Sequence, residues 1–228
     1  LGTANGPVLR DADGKIHTMP SREDADGFKD KNVLRWNDAK VSPNGELFLG
    51  SMAYENQSNE GAFYRLSKDG KKLTRLFGEV GISNGMDWSV DQSRMFYIDT
   101  LSMKVEVFDF NNGQISNRRT LVEIQDGMGY PDGMCSDSDD NLWVAFWGCG
   151  QVRNYSPEGD LLNIVQAPTA LTTCPSFGGP GLKTMFITSA QDHYQPEFAF
   201  DAHNDKFGGM CFEVELPIAG KLDNYFLG

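Results

Sequence analysis

Histidine is scarce. Only His17, His193 and His203 occur in 228 residues, at none of the short spacings that gather imidazoles around zinc, which argues against an all-histidine metal site. A Gly-x-Ser-x-Gly elbow is missing too, so a Ser-His-Asp hydrolase has little support. Cys135, Cys149, Cys174 and Cys211 include no Cys-x-x-Cys pair. That favours reduced thiols over a disulfide framework, with Cys135 and Cys211 read as small hydrophobes in apolar, strand-like surroundings. No apolar run approaches the length of a membrane span, and no signal peptide is visible. The expectation is a cytoplasmic chain without a membrane partner, although it begins at Leu1 and a lost targeting segment stays open. Basic charge is also short, with 20 Lys+Arg against 32 Asp+Glu and a net charge of −12. This disfavours nucleic acid, whose phosphates need clustered Lys and Arg, and the acidic excess reads as solubility.

What the chain does have is a repeat. Ser83-Asn84-Gly85 leads into Met95-Phe96-Tyr97-Ile98-Asp99, and Val41-Ser42-Pro43-Asn44-Gly45 precedes Leu47-Phe48-Leu49-Gly50. Cys135-Ser136-Asp137 precedes Leu142-Trp143-Val144-Ala145, and a weaker copy runs from Ser176-Phe177-Gly178-Gly179 to Met185-Phe186-Ile187-Thr188. The apolar runs start roughly 43 to 48 residues apart, close to the period of a four-stranded blade. Outer strands follow at Gly61 to Leu66 and Leu73 to Phe77, Lys104 to Phe110 and Ile115 to Leu121, and Gln151 to Ser156 and Leu161 to Val165. Gly209 to Val214 is the corresponding third strand of the last repeat. Leu1 to Lys31 is polar and turn-rich with no helical moment, and Asp13-Gly14 is a hairpin signal. Twenty-five glycines and 11% aromatics suit many short strands joined by tight turns. Strands at this spacing without amphipathic helices predict one all-β domain over residues 1–228, a β-propeller.

Three polar stretches stand out at similar phases: Arg35-Trp36-Asn37-Asp38, Ser83-Asn84-Gly85 and Tyr130-Pro131-Asp132-Gly133. Read as corners of successive blades, they converge on the mouth of a central channel, where Asn84 and Asp132 offer oxygen ligands to a hard cation. The local alternative is that Asn-Gly and Asp-Gly are simply turn dipeptides. Asp137 to Asn141 lacks the glycine and terminal glutamate of a calcium loop and reads as a solvated hairpin tip. Trp143 and Trp147 read as blade packing.

In these stretches the chain resembles the family of senescence marker protein 30 (regucalcin), gluconolactonase and luciferin-regenerating enzyme. The matching residues are Arg35 to Val41 with Gly50 to Ala53, Ser83 to Ser89 with Tyr97 to Asp99, and Gly113 to Arg119. They continue with Pro131 to Cys135, Leu142 to Ala145, Phe177 to Gly179 and Thr188 to Ala190, in family order and over nearly the whole chain. The resemblance implies a six-bladed propeller, here N-terminally incomplete with about four to five blades. It also implies one divalent metal, Ca²⁺ first with Zn²⁺, Mg²⁺ or Mn²⁺ as alternatives, and hydrolysis of a small-molecule sugar lactone. By the same resemblance Asn84 and Asp132 are metal ligands, and Asp132 is the proton acceptor for the attacking water. Arg35 and Asn37 match substrate-contacting positions, and Glu55 falls where a substrate-facing carboxylate is expected. Two departures are visible. Ala39 replaces the family's glycine after Asn37-Asp38, and no counterpart of its metal-binding glutamate in a Gly-Glu-Gly-Pro-like segment precedes Gly6-Pro7. A non-catalytic calcium-binding regulator, an inactive fragment and an interaction scaffold are the competing readings.

Overall fold

The computed structural model describes residues 2–3, 6–26, 34–54, 59–191 and 205–227. Its strands form five antiparallel sheets in which sheet neighbours are also sequence neighbours. The first sheet holds β1 (Gly2–Thr3), β2 (Gly6–Arg10) and β3 (Ile16–Thr18). The second holds β4 (Leu34–Val41), β5 (Leu47–Ala53), β6 (Gly61–Leu66) and β7 (Leu73–Val80). The third holds β8 (Ser83–Trp88), β9 (Arg94–Asp99), β10 (Lys104–Asn111) and β11 (Gln114–Glu123). The fourth holds β12 (Tyr130–Ser136), β13 (Leu142–Trp147), β14 (Gln151–Tyr155) and β15 (Leu161–Gln166). The last holds β16 (Thr172–Gly178), β17 (Thr184–Ser189) and β18 (Cys211–Glu215). Four-stranded meanders repeated along the chain are propeller blades, and the fold is the all-β propeller expected from the repeat.

Burial explains why the repeat was readable. Nearly all of β9 and β13 is buried, and these strands read as apolar runs, whereas β8 is buried throughout yet polar at Ser83, Asn84 and Asp87. The fourth strands β11 and β15 are largely exposed. One helix was not expected: α1 (Arg22–Asp26) lies in the stretch read as polar and turn-rich, and five residues are too few to leave a periodic trace. Among the described residues no helix is long and apolar enough to cross a membrane.

The chain divides into two compact units, residues 1–84 with 223–228, and residues 85–222. In the first, Trp36, Leu49, Tyr64, Leu66 and Leu73 form a core onto which Met19, Ala25 and Phe226 pack. In the second, Phe96, Ile98, Val105 and Val107 pack against Leu142, Val144, Phe146 and Tyr155, joining the third sheet to the fourth. On the other face of the fourth sheet, Cys135, Trp143, Ala145 and Val152 meet Met185 and Ile187 of the fifth. All four cysteines are free thiols; Cys135 is buried as expected, whereas Cys211 is exposed because it opens the edge strand β18.

Among the described residues one turn recurs at several hairpins. At Asp11, Ser42, Ser67, Ser89, Asp137 and Ser156 the backbone carbonyl accepts the N–H three residues on. The fourth turn residue is left-handed each time: Gly14, Gly45, Gly70 and Gly159, but also Gln92 (φ 60°) and Asp140 (φ 66°). At the Asp137 turn the expected solvated hairpin tip holds for Ser138 and Asp139, which are exposed, but not for Asp137. Asp137 is buried, its Oδ1 accepts the N–H groups of Asp139 and Asn141, and its Oδ2 accepts Trp143 Nε1 at 2.9 Å. Gln92 and Asp140 yield opposite predictions. Gln92→Gly is expected to raise stability by about 0.5–1 kcal/mol, relief of the left-handed strain exceeding the added chain entropy. Asp140→Gly is expected to lower it by about 1 kcal/mol, because the Asp140 carboxylate accepts Val90 N–H at 2.7 Å and faces Arg94 at 3.6 Å. Urea unfolding midpoints of the two variants check the pair of signs.

Candidate active site

In the first unit β4 carries a bulge. Trp36 pairs with Ser51 and Ala39 with Leu49, so Asn37 and Asp38 together oppose Gly50. An extra residue in one strand re-aims the side chains beside it. Asn37 is consequently free to reach β8, where its Nδ2 donates to Asn84 Oδ1 and to the Ser83 carbonyl, both at 2.7 Å. Its Oδ1 accepts Arg35 Nη1 at 3.0 Å, and the same nitrogen lies 3.3 Å from the Trp36 carbonyl. The unit thus joins three of the predicted site residues in one hydrogen-bonded row, Arg35 to Asn37 to Asn84. Asn84 is 5% exposed. Its oxygen is held in place by the Asn37 amide, and an amide oxygen is a hard donor of the kind Ca²⁺ takes.

Asp38 is the residue whose role sequence reading missed. No hydrogen bond reaches its carboxylate among the described residues, and burial pushes its pKa up to about 6 against the attraction of Lys40. The fold therefore favours the protonated acid. Its contribution is retained below pH 4 and lost as pH rises from 4 through 6, by about 2–3 kcal/mol for two pKa units. In metal-free buffer, Asp38→Asn is expected to remove this decline, raising the melting temperature at pH 7.5 while leaving it unchanged at pH 4. Adjacency to Asn37 inside the bulge was the signal that could have drawn notice.

In the second unit the same device recurs in β12. Pro131 pairs with Phe146 and Met134 with Val144, leaving half-buried Asp132 and Gly133 to oppose Ala145. A third bulge at Thr173 interrupts the pairing of β16 with β17. Asn84-Gly85 and Asp132-Gly133 lie inside β8 and β12, which corrects their reading as corners or turn dipeptides. Neither glycine has a positive φ. A Cβ on Gly85 would fall 2.7 Å from Met134 N and 2.8 Å from Asp132 O, and one on Gly133 would fall 2.6 Å from Cys174 Sγ. These glycines serve close approach of neighbouring strands.

Glu55, His193 and His203 lie outside the described residues. Among the described residues no three His, Cys, Asp or Glu side chains cluster as a metal site. Asn84 in the first unit offers an amide oxygen and Asp132 in the second a carboxylate, each a hard donor that suits Ca²⁺ better than it suits a thiolate- or imidazole-seeking ion. A cavity of about 620 Å³ in the second unit, lined by Cys149, Gln166, Thr169, Asp205 and Lys206 among others, includes none of the predicted residues.

Repeated blades with polar bulges in their first strands define the class, and comparison with known proteins gives the family. Residues 3–191 match the model of the SMP-30/Gluconolactonase/LRE-like region, and the chain belongs to that family. Regucalcin of Xenopus laevis is 41% identical over 208 residues, covering 88% of this chain and 69% of the frog protein. Across the regucalcins compared, the match spans 58% to 73% of their length. Among solved structures, a calcium-binding regucalcin from Agrobacterium tumefaciens superposes with a TM-score of 0.86 at 26% identity, covering 98% of this chain and 74% of that one. A luciferin-regenerating enzyme superposes with a TM-score of 0.88 at 28% identity, covering 98% and 76%.

Proposed function

We propose that the chain is that of a divalent-metal-dependent lactonase acting on small sugar lactones. The observation that carries the reading is the Arg35–Asn37–Asn84 row, found in a chain of a family whose name includes gluconolactonase. In this reading Asn84 and Asp132 serve as oxygen ligands. The cation, when bound, supplies Lewis acidity toward the lactone carbonyl. Asp132 takes a proton from the attacking water, whose oxygen adds to the carbonyl carbon before the ring C–O bond breaks to give the hydroxy acid. Arg35 donates to substrate oxygens while its contact with Asn37 limits its rotamers, and Asn37 orients the Asn84 amide. Glu55 is proposed to face the substrate.

Ca²⁺ is the proposed ion, on the hardness of the donors and because one structural neighbour is described as calcium-binding. That same description supports a second reading, a calcium-binding regulator without catalysis. Proton release from glucono-δ-lactone, followed after chelation and after restoring each divalent ion, separates the two. Turnover lost on chelation and restored by metal supports the lactonase. Calcium binding by calorimetry without turnover under any metal supports the regulator and overturns the enzyme.

A further inference from the structure

Asp87 is 1% exposed in β8, and its carboxylate is fully engaged. Oδ1 lies 3.0 Å from Lys221 Nζ and accepts Trp88 N–H at 2.8 Å. Oδ2 accepts the Ser136 N–H at 2.7 Å and the Ser136 hydroxyl at 3.0 Å. Lys221 Nζ also donates to the Trp88 carbonyl. One buried carboxylate therefore joins β8, the last residue of β12 and the C-terminal segment. That segment is itself fixed: Ser138 N–H donates to the Ala219 carbonyl at 2.9 Å, and Gly220 N–H donates to the Leu182 carbonyl at 2.8 Å.

The two strands so joined are those that carry Asn84 and Asp132. Asp87 follows Asn84 by three residues and Ser136 follows Asp132 by four, placing the clamp about 10–13 Å along each strand from the proposed ligands. That is too far to touch a cation and near enough to fix the strand. We propose that Lys221 is a positioning residue for the metal site: by neutralising Asp87 it locks β8 against β12 and holds the donors those strands bear. The inference rests on the reading in which Asn84 and Asp132 ligate the cation. Without the ammonium, the buried carboxylate must take up a proton or admit water, and either weakens its hold on Ser136. The close approach of Gly85 to Asp132 leaves these strands little room to adjust by other means.

The test is calorimetric titration of Ca²⁺ into the metal-free chain and its K221M, K221R and D132A variants, with hydrogen exchange at Ser136 and melting temperatures alongside. K221M is expected to weaken Ca²⁺ binding about tenfold or more and to speed Ser136 amide exchange, K221R to stay near wild type, and D132A to abolish binding. K221M with a lowered melting temperature and wild-type Ca²⁺ affinity would make Lys221 structural only and overturn the proposal, leaving the ligand assignment intact. A wild-type chain that binds no Ca²⁺ sinks both.

Discussion

Replacing Asp132 with alanine is expected to lower metal-dependent lactone turnover by at least about a hundredfold, the smaller end of what a positioned general base contributes. The bulge in β12 is the structural reason to expect so large an effect. A regular strand would have Asp132 and Gly133 each matched by a residue of β13, whereas here the pair faces Ala145 alone and the local backbone is turned out of register. In the proposed mechanism alanine removes both a ligand oxygen and the base, so Asp132→Asn is the informative partner. Asparagine keeps an oxygen for the cation and cannot accept the water proton. The expected pattern is Ca²⁺ affinity largely retained in Asp132→Asn, a turnover close to that of Asp132→Ala, and loss of the acidic limb of the pH–rate profile. Saturating metal should rescue neither. Equal turnover of wild type and Asp132→Ala at saturating substrate would remove Asp132 from the chemistry.

The parts of this molecule that sequence reading captured are those whose cause is local. Met95 to Ile98 and Leu142 to Ala145 stand out because both faces of these strands are buried and every position in them is apolar. The hairpin turns stand out because glycine satisfies their left-handed residue. Gly85 and Gly133 show where that logic stops. The dipeptides look like turns, yet the glycines answer to a neighbouring strand whose position no local pattern records. Asn37 and Asn84 were picked out separately, but their hydrogen bond depends on a bulge set by the pairing of β4 with β5. Asp38 went unremarked because its raised pKa is a property of burial. Asp137 was misjudged for a related reason: its neighbours Ser138 and Asp139 are exposed, while Asp137 itself is buried and accepts Trp143 Nε1.

The largest expected loss of stability is at Asp87. Asp87→Ala is expected to destabilise the chain by about 3–5 kcal/mol, the range found when one partner of a buried ion pair is removed. Two terms add there. Ser136 N–H, a buried strand-end donor, loses its acceptor, and the Lys221 ammonium is left beside the Trp88 carbonyl without its counter-ion. Lys221 is about one-fifth exposed, so its ammonium can turn toward water, which places the expected value near the lower end of the range. Lys221→Met strands the charge on the deeper partner and is expected to cost as much or more, since the Asp87 carboxylate has no route to solvent. The double variant Asp87→Ala with Lys221→Met is the decisive case. If the ion pair is the main interaction, its loss should fall at least about 1 kcal/mol short of the sum of the single losses, the remainder being the unmet Ser136 donor. Denaturant unfolding of the four chains gives the cycle directly. Strictly additive losses would mean that Asp87 and Lys221 act through separate neighbours, and that the carboxylate stabilises β8 through partners other than Lys221, Ser136 among them.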